Sequence, residues 1–345
     1  MNLAPKENIK INSIIKTKVA YNKLLRKISQ YFIGFLMIFT AWEFYHFVQF
    51  IRSDDYAIAI ANHPAVAESF LPQAAFLAFR LYLETGYIDE IHPAGLFIFL
   101  ATITTAWLFR RALCSWICPI GTLSEHLGLL GRKIFKKNIT VPKWLDTLLL
   151  GVKYLFITFV LFMLVLMSLE ETIAFMEAPY YAMADIEMFD FFTEISWLGY
   201  SIILALIILS MLIKSFWCRY LCPYGAFLGI LGFFSPMRLT KNTTTCIDCG
   251  ICNKNCPNGV DIAKSRERVM SPECTGCTSC VSVCPQSGTL EFKIFGIISV
   301  KPLYYGITFL VIFFGIIFAA KMTGHWDTII TIDQYKFYDR MFGEN

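Results

Sequence analysis

Two cysteine motifs in the last third of the chain have the spacing of iron–sulfur ligands. Residues 246–257 read CIDCGICNKNCP and residues 274–285 read CTGCTSCVSVCP, so each follows C-x2-C-x2-C-x3-C-P. Three thiolates on one tight loop can occupy three corners of a cube, and the fourth cysteine, followed by proline, reaches the other cluster. One [4Fe–4S] cluster is therefore assigned to Cys246, Cys249, Cys252 and Cys284. The second is assigned to Cys256, Cys274, Cys277 and Cys280.

Other uses of these eight cysteines fit the spacing less well. A zinc ribbon would need one C-x2-C pair in each half rather than three cysteines plus one. Disulfides are disfavoured because the charge distribution described below places this segment in the reducing cytoplasm. Gly250, Gly259 and Gly276 are expected to let the backbone approach the sulfides closely.

The remaining four cysteines form a repeated Cys-x3-Cys-Pro step. Residues 114–121 read CSWICPIG and residues 218–225 read CRYLCPYG, and each copy follows an apolar run. Proline disfavours helix at the residue before it, so Cys118 and Cys222 are expected where one segment ends and another begins. We expect nearby cations to favour the thiolate form. They are Arg110, Arg111, Lys214 and Arg219.

Three interpretations of Cys114, Cys118, Cys218 and Cys222 remain open. A shared four-thiolate site could bind a soft metal, either a further iron–sulfur centre or copper. The thiols could instead form a redox-active dithiol or disulfide relay. They could also be small buried residues at tight turns.

The elements that must position these cysteines are apolar helices. The chain has 345 residues, of which 56% are hydrophobic and 16% charged, whereas soluble domains are nearer a quarter charged. Crossing a membrane takes about 20 mostly apolar residues. We predict five transmembrane helices, at residues 28–50, 93–110, 148–169, 195–213 and 302–320.

Charge predicts which side of the membrane each segment occupies. Residues 1–27, 110–153 and 214–301 hold 7, 8 and 10 of the 30 Lys and Arg residues. Positive charge stays in the cytoplasm, so the N-terminus and both cluster motifs are placed there and the C-terminus outside. The expected location is a prokaryotic inner membrane. The expected partners are the lipid bilayer, a soluble cytoplasmic redox protein and a periplasmic redox protein, with no nucleic acid.

An internal repeat organises the membrane part. Cys114, Cys118, Pro119 and Gly121 recur at a constant offset of 104 residues, each time after a helical hairpin. Repeats of the same orientation are related by an axis along the membrane normal, which would bring the two steps to similar depth. The predicted segments are a basic arm (1–27), two repeats (28–131 and 132–235), a small α+β ferredoxin domain (241–292), a last span (302–320) and an outer tail (321–345).

Ionisable groups near the outer surface are further candidates. Glu43 and His46 fall within the first predicted span, where charged and polar residues are costly and often functional. His92 begins the second span at the same surface. These residues are candidates for binding a quinone or ligating a haem, and interfacial histidines with ordinary partners are the alternative.

The combination of motifs resembles a known family. CSWICP, CRYLCPYG, CIDCG and ECTGC, in this order, resemble the membrane-bound polyferredoxins that include NapH, the membrane part of NosR and CcoG. The layout is most similar to YccM-type electron-transport proteins. The resemblance implies electron transfer between a membrane pool or cytoplasmic donor and an outer acceptor.

We therefore expect an integral membrane electron-transfer component of an oxidoreductase system. It would link a cytoplasmic or quinol donor to a membrane or periplasmic acceptor. One alternative is a membrane copper reductase that serves assembly of a respiratory metalloenzyme. A second alternative is a non-catalytic redox-sensing or anchoring subunit.

Overall fold

The computed structural model describes residues 5–53, 63–139 and 141–343, and it is mainly helical. The α-helices are α1 (Pro5–Arg52), α2 (Pro72–Thr85), α3 (Pro93–Phe109), α4 (Leu113–Trp116), α5 (Pro119–Phe135), α6 (Lys143–Leu166), α7 (Leu169–Met176), α8 (Pro179–Ala182), α9 (Ala184–Thr193), α10 (Trp197–Leu212), α11 (Pro223–Phe233), α12 (Ile251–Asn255), α13 (Ser279–Val283), α14 (Pro302–Met322) and α15 (Ile332–Gly343). A 3-10 helix covers Ala65–Phe70, and a π-helical turn covers Trp217–Leu221. The strands are β1 (Met237–Lys241), β2 (Leu290–Ile294) and β3 (Ile298–Val300).

Apolar helices occupy all five regions predicted as spans. Among the described residues, three helical segments are long and apolar enough to cross a membrane: Lys23–Arg52, Lys143–Leu166 and Pro302–Met322. A fourth span is possible if α9 and α10, which meet at 83°, act as one broken span. Helix α3, with 17 residues, is a shorter apolar helix. The described residues thus contain three to four candidate spans, and the count of five stays a prediction.

Each cysteine step interrupts helical structure as the prolines predict. Arg110 and Ser215 adopt left-handed backbone conformations shortly before the first cysteine of each step. Cys118 and Cys222 are extended and immediately precede Pro119 and Pro223, the first residues of α5 and α11. Proline suits the first helical turn because its missing N–H would have no partner there. The expectation that a new segment begins at each Cys-Pro is confirmed.

The segment that carries the other eight cysteines is a small α+β fold. Strands β1, β2 and β3 form an antiparallel sheet in that order, with Met237 opposite Ile294 and Lys241 opposite Leu290. The short helices α12 and α13 lie between β1 and β2 in the sequence and pack together. Leu239 of β1 and Phe292 of β2 are paired across the sheet, and both are buried.

The chain divides into two compact units. The first unit comprises the described parts of residues 1–33, 104–154 and 206–311, and it contains all twelve cysteines. The second unit comprises the described parts of 34–103, 155–205 and 312–345. Its buried apolar residues include Phe47, Leu96 and Ile186.

Candidate iron–sulfur and membrane thiol sites

Four cysteines surround a cavity at the exposed side of the ferredoxin segment. This exposed quartet consists of Cys246, Cys249, Cys252 and Cys284, which all line the same cavity. Burial raises the pKa of Cys284, and Cys249 and Cys246 lie near enough to add to the shift through their charge. Cys249 itself is exposed to solvent. The structure thus brings together the four residues that the sequence assigns to the first cluster.

A second set of four cysteines is more deeply enclosed. This buried quartet consists of Cys256, Cys274, Cys277 and Cys280. Burial raises the pKa of Cys256 to about 12, and the nearby charges of Cys277 and Cys274 contribute. Cys280 is buried, and its pKa is raised by burial and then by Cys277, Cys274 and Cys256. This grouping is the one that the sequence assigns to the second cluster.

The two motifs share a local backbone pattern around their short helices. Gly250 and Thr278 both adopt left-handed conformations directly before α12 and α13. Cys256 and Cys284 both end these helices in extended conformations. Cys256 lies near Cys274 and Cys277 of the second motif, and Cys284 lies near Cys246 and Cys249 of the first.

The composition of the quartets fits cubane clusters. The exposed quartet lines a cavity with four thiols. Within the described part of the chain, no group of His, Cys, Asp or Glu side chains is arranged to hold a single metal ion. Soft thiolates are also the ligands that iron–sulfur clusters require.

The other four cysteines also converge. This turn quartet consists of Cys114 and Cys118 from the first step and Cys218 and Cys222 from the second. Burial raises the pKa of Cys118 to about 12, and the charges of Cys114 and Cys222 add to it. Burial likewise raises the pKa of Cys218, with Cys118, Cys222 and Cys114 contributing. Thiols that are about a hundred residues apart in sequence are therefore neighbours.

The first cysteine step is hydrogen bonded to the loop of the buried quartet. The Ser115 hydroxyl donates to the Thr275 carbonyl at 2.8 Å, and the Trp116 indole donates to the Gly276 carbonyl at 3.2 Å. Arg110 donates to the carbonyl of Val269 at 3.2 Å. These contacts fix the first step against the loop that carries Cys274 and Cys277.

The second step contacts the residues on either side of Cys256, which belongs to the same quartet. Lys214 donates to the Lys254 carbonyl at 2.8 Å, and the Ser215 hydroxyl donates to the Pro257 carbonyl at 3.2 Å. Arg219 donates to the Asn258 carbonyl and also pairs with Asp146 at 2.8 Å. Both steps therefore hold the chain that surrounds the buried quartet.

A buried group of charges lies where the two cysteine regions meet. Glu273, directly before Cys274, accepts from Arg111 at 3.1 Å and from Lys153 at 2.6 Å. The Tyr154 hydroxyl donates to the same carboxylate at 3.1 Å. Although burial opposes its charge, Arg111 and Lys153 lower the pKa of Glu273. One sequence signal could have indicated this group, because Lys153 is a cation within an apolar helix.

Nearby cations do not determine the net pKa shift of the turn quartet. Burial outweighs them, so the pKa values of Cys118, Cys218 and Cys222 rise rather than fall. Of the four cations proposed, three make the backbone contacts given above. Arg111 is the one whose charge acts on the thiols, because it lowers the pKa of Cys218 and Cys222.

The outer candidates do not share one set of contacts. His46 packs against the rings of Trp42 and Tyr45. His92 is buried, donates to the Tyr181 carbonyl at 2.8 Å and lies 3.8 Å from Glu68. Burial opposes its charge, but Glu68 raises the pKa of His92 to about 9.

Glu43 contributes to a cavity in the second unit. The cavity measures about 360 Å³, and His63 and Lys321 also line it. His63 is hydrogen bonded to the buried carboxylate of Asp185, a contact that the sequence did not predict.

Comparisons with known proteins agree with this description. Residues 238–285 match the family described as "4Fe-4S dicluster domain". Residues 91–138 and 195–242 both match "4Fe-4S binding domain", and the two matches begin 104 residues apart, as Cys114 and Cys218 do. No solved structure is significantly similar to the chain. The chain is thus an iron–sulfur protein of the ferredoxin type with candidate membrane-spanning helices.

Similarity to individual proteins shows the family. The chain is 35% identical over 317 residues to "Putative electron transport protein YccM" of Escherichia coli, covering 90% of this chain and 88% of that protein. It is 29% identical over 195 residues to the methylamine utilization ferredoxin-type protein MauN of Methylobacillus flagellatus, covering 56% and 61%. It is 31% identical over 213 residues to the regulatory protein NosR of Pseudomonas aeruginosa, covering 59% and 28%. The chain belongs to the YccM family of iron–sulfur electron-transfer proteins.

Proposed function

We propose that this chain is an integral membrane electron carrier in which the exposed quartet and the buried quartet each bind one [4Fe–4S] cluster. When bound, such clusters accept and donate single electrons. The observation that carries the proposal is the grouping of eight cysteines into two sets of four, with the fourth cysteine exchanged between the motifs. The chain holds the cluster ligands in place, and its packing leaves Cys249 of the exposed quartet accessible to water while it buries Cys256 and Cys280.

The difference in exposure supports an order of electron transfer. Cys249 is exposed and its neighbour Ile247 is 58% exposed, so a soluble protein can approach this quartet closely. Cys256 and Cys280 are buried. We therefore place the cytoplasmic partner at the exposed quartet and the membrane side of the path at the buried quartet.

The charge distribution supports a cytoplasmic location for both quartets. Residues 214–301 contain 10 of the 30 cations, whereas the segments 51–92, 170–194 and 321–345 together contain 5 cations and 17 of the 26 carboxylates. This bias follows the positive-inside pattern of inner-membrane proteins. The five-span topology and the internal repeat belong to the same proposal, and the paired family matches at an offset of 104 residues support the repeat.

The acceptor or donor at the membrane side is proposed to be a quinone or a periplasmic redox protein. The cavity of the second unit is lined by polar side chains that could bind a quinone, namely Glu43, His63 and Lys321. A copper reductase would instead bind copper at the four thiols of the turn quartet. A sensing or anchoring subunit would share the cluster sites but would not turn over with a redox partner.

A redox titration followed by electron paramagnetic resonance tests the proposal. Anaerobically purified protein should give at least two reducible [4Fe–4S] signals, and those of the exposed and buried quartets should interact magnetically. In membranes, reduced protein should be reoxidised by a quinone or a periplasmic extract. Protein that contains no iron, or clusters that exchange electrons with no partner at a useful rate, would overturn the electron-carrier function.

A surface variant tests where the soluble partner docks. Ile247→Asp should slow reduction by a cytoplasmic ferredoxin or flavodoxin and leave both cluster signals unchanged. Phe295→Asp is the matched control, because Phe295 is 74% exposed. Leu290, at the start of β2, borders the exposed quartet, whereas Phe295 follows the opposite end of this strand. Equal effects of the two variants would contradict the proposed docking surface.

A further inference from the structure

The turn quartet has the form of a third cluster site. Cys114 and Cys118 belong to the first step, and Cys218 and Cys222 belong to the second, yet each thiol lies within electrostatic reach of the others. All four are free thiols that are partly or largely enclosed by protein. Four converging thiols match the ligand set of a [4Fe–4S] cluster.

Arg111 supplies an independent sign that an anion belongs at this place. Its side chain is 1% exposed, and one nitrogen is paired with Glu273. The other two side-chain nitrogens, Nε and Nη2, are buried without a hydrogen-bond partner. Leaving a buried charged donor unsatisfied is costly. Burial disfavours its charge, but Glu273 and the neighbouring Cys114, Cys218 and Cys222 raise the pKa of Arg111.

The local charge balance also requires a negative group. Arg111 and Lys153 are both buried, and Glu273 is the one carboxylate that pairs with them in the described structure. Two cations with one carboxylate leave an excess positive charge inside the protein, which is unfavourable. A cube held by four thiolates is net negative and would neutralise it. Four protonated thiols would not.

A backbone amide donates to the second thiol of the second step. The amide of Gly225, in the first turn of α11, donates to the Cys222 sulfur at 3.2 Å. In the described structure the first step has no corresponding hydrogen bond, because the Cys118 side chain does not cap α5. A Cβ at Gly121 would lie 2.0 Å from the Cys114 carbonyl, so this glycine allows the helix to start directly against the first cysteine. Amide donors and helix N-termini favour negative charge on sulfur.

We propose that Cys114, Cys118, Cys218 and Cys222 ligate a third [4Fe–4S] cluster, with Arg111 as its buried counter-charge. The proposal rests on the function proposed above, since it adds a site to the same path. Glu273 contacts Arg111 and directly precedes Cys274 of the buried quartet, so the third site adjoins the second. The order of sites is then exposed quartet, buried quartet and turn quartet.

Metal content of the intact protein is the first test. Full-length protein, purified anaerobically in detergent, should contain about twelve iron and about twelve acid-labile sulfide per chain, against about eight of each for two clusters. Mössbauer spectroscopy should assign all of the iron to [4Fe–4S] centres. About eight iron with four thiols that react with iodoacetamide would overturn the third site and leave the proposed function intact. One copper, or a disulfide within the turn quartet, would overturn it equally.

Variants locate the additional iron. Cys218→Ser should lower iron by about one third while the magnetic interaction between the two ferredoxin clusters persists. Cys246→Ser is the matched control, because it should abolish that interaction and leave the third signal. If Cys218→Ser keeps all of the iron, the assignment is wrong.

A third variant tests the counter-charge without removing a ligand. Arg111→Gln should shift one of three midpoint potentials to a more negative value, because the positive charge that stabilises the reduced cluster is gone. Equal shifts in all three, or none, would contradict the role of Arg111. Protein without any iron would overturn both this inference and the function on which it rests.

Discussion

Replacement of Glu273 by glutamine is a strong test of how the first unit is held together. The glutamate carboxylate accepts from Arg111 at 3.1 Å, from Lys153 at 2.6 Å and from Tyr154 at 3.1 Å. The side chains of Arg111 and Lys153 are 1% and 0% exposed. Glu273→Gln keeps the size of the side chain but removes its charge. Two buried cations then remain with no paired carboxylate.

The size of the effect follows from the burial of the partners. Removing one member of a buried ion pair costs about 3–5 kcal/mol, because the other charge stays buried without compensation. Here one carboxylate serves two cations, and we expect a cost within this range. In domains of moderate size each kcal/mol lowers the melting temperature by about 2–4 °C, which gives a decrease of roughly 6–20 °C.

The assay is loss of visible cluster absorption on heating anaerobic protein in detergent. Glu267→Gln is the matched control, because this carboxylate is exposed in the same unit and should change stability by less than about 0.5 kcal/mol. Adding Lys153→Met to Glu273→Gln should restore part of the loss, since one unpaired cation is removed and the residues are coupled. If Glu273→Gln melts within about 1 °C of Glu267→Gln, the buried charge group does not stabilise the fold as argued.

Three further changes have definite expected outcomes. Gly276→Ala should reduce iron in the buried quartet, because Gly276 has φ +57° and an added Cβ would lie 2.0 Å from the Tyr305 hydroxyl; unchanged iron content would contradict this. Burial opposes the charge of His92, but Glu68 raises the pKa of His92 to about 9. The contribution of protonated His92 to stability should therefore be fully present below about pH 6.5 and be lost as pH rises through 9. His92→Gln should remove that pH dependence in melting curves. After iron removal by a chelator, mass spectrometry should find Cys249 alkylated well before Cys256, since one is exposed and the other is buried.

The sequence alone determined the parts that depend on local spacing. The C-x2-C-x2-C-x3-C-P pattern assigned Cys256 and Cys284 to opposite quartets because three ligands on one loop exclude the fourth. Proline determined where α5 and α11 begin, because its ring prevents helix at Cys118 and Cys222. Apolar runs located the helices, with modest errors at their ends. Helix α6 starts at Lys143 rather than 148 and ends at Leu166, before Ser168 caps the next helix with Glu171.

Tertiary structure decided which charges meet and which are buried. Arg110 and Arg111 are adjacent in sequence, yet one binds backbone carbonyls and the other lies beside the thiols. Nothing local distinguishes them, because the partners come from residues 269–273, more than 150 positions away. Burial also reversed the expected pKa of the turn cysteines: desolvation depends on everything packed around a thiol, whereas sequence shows only its neighbours along the chain.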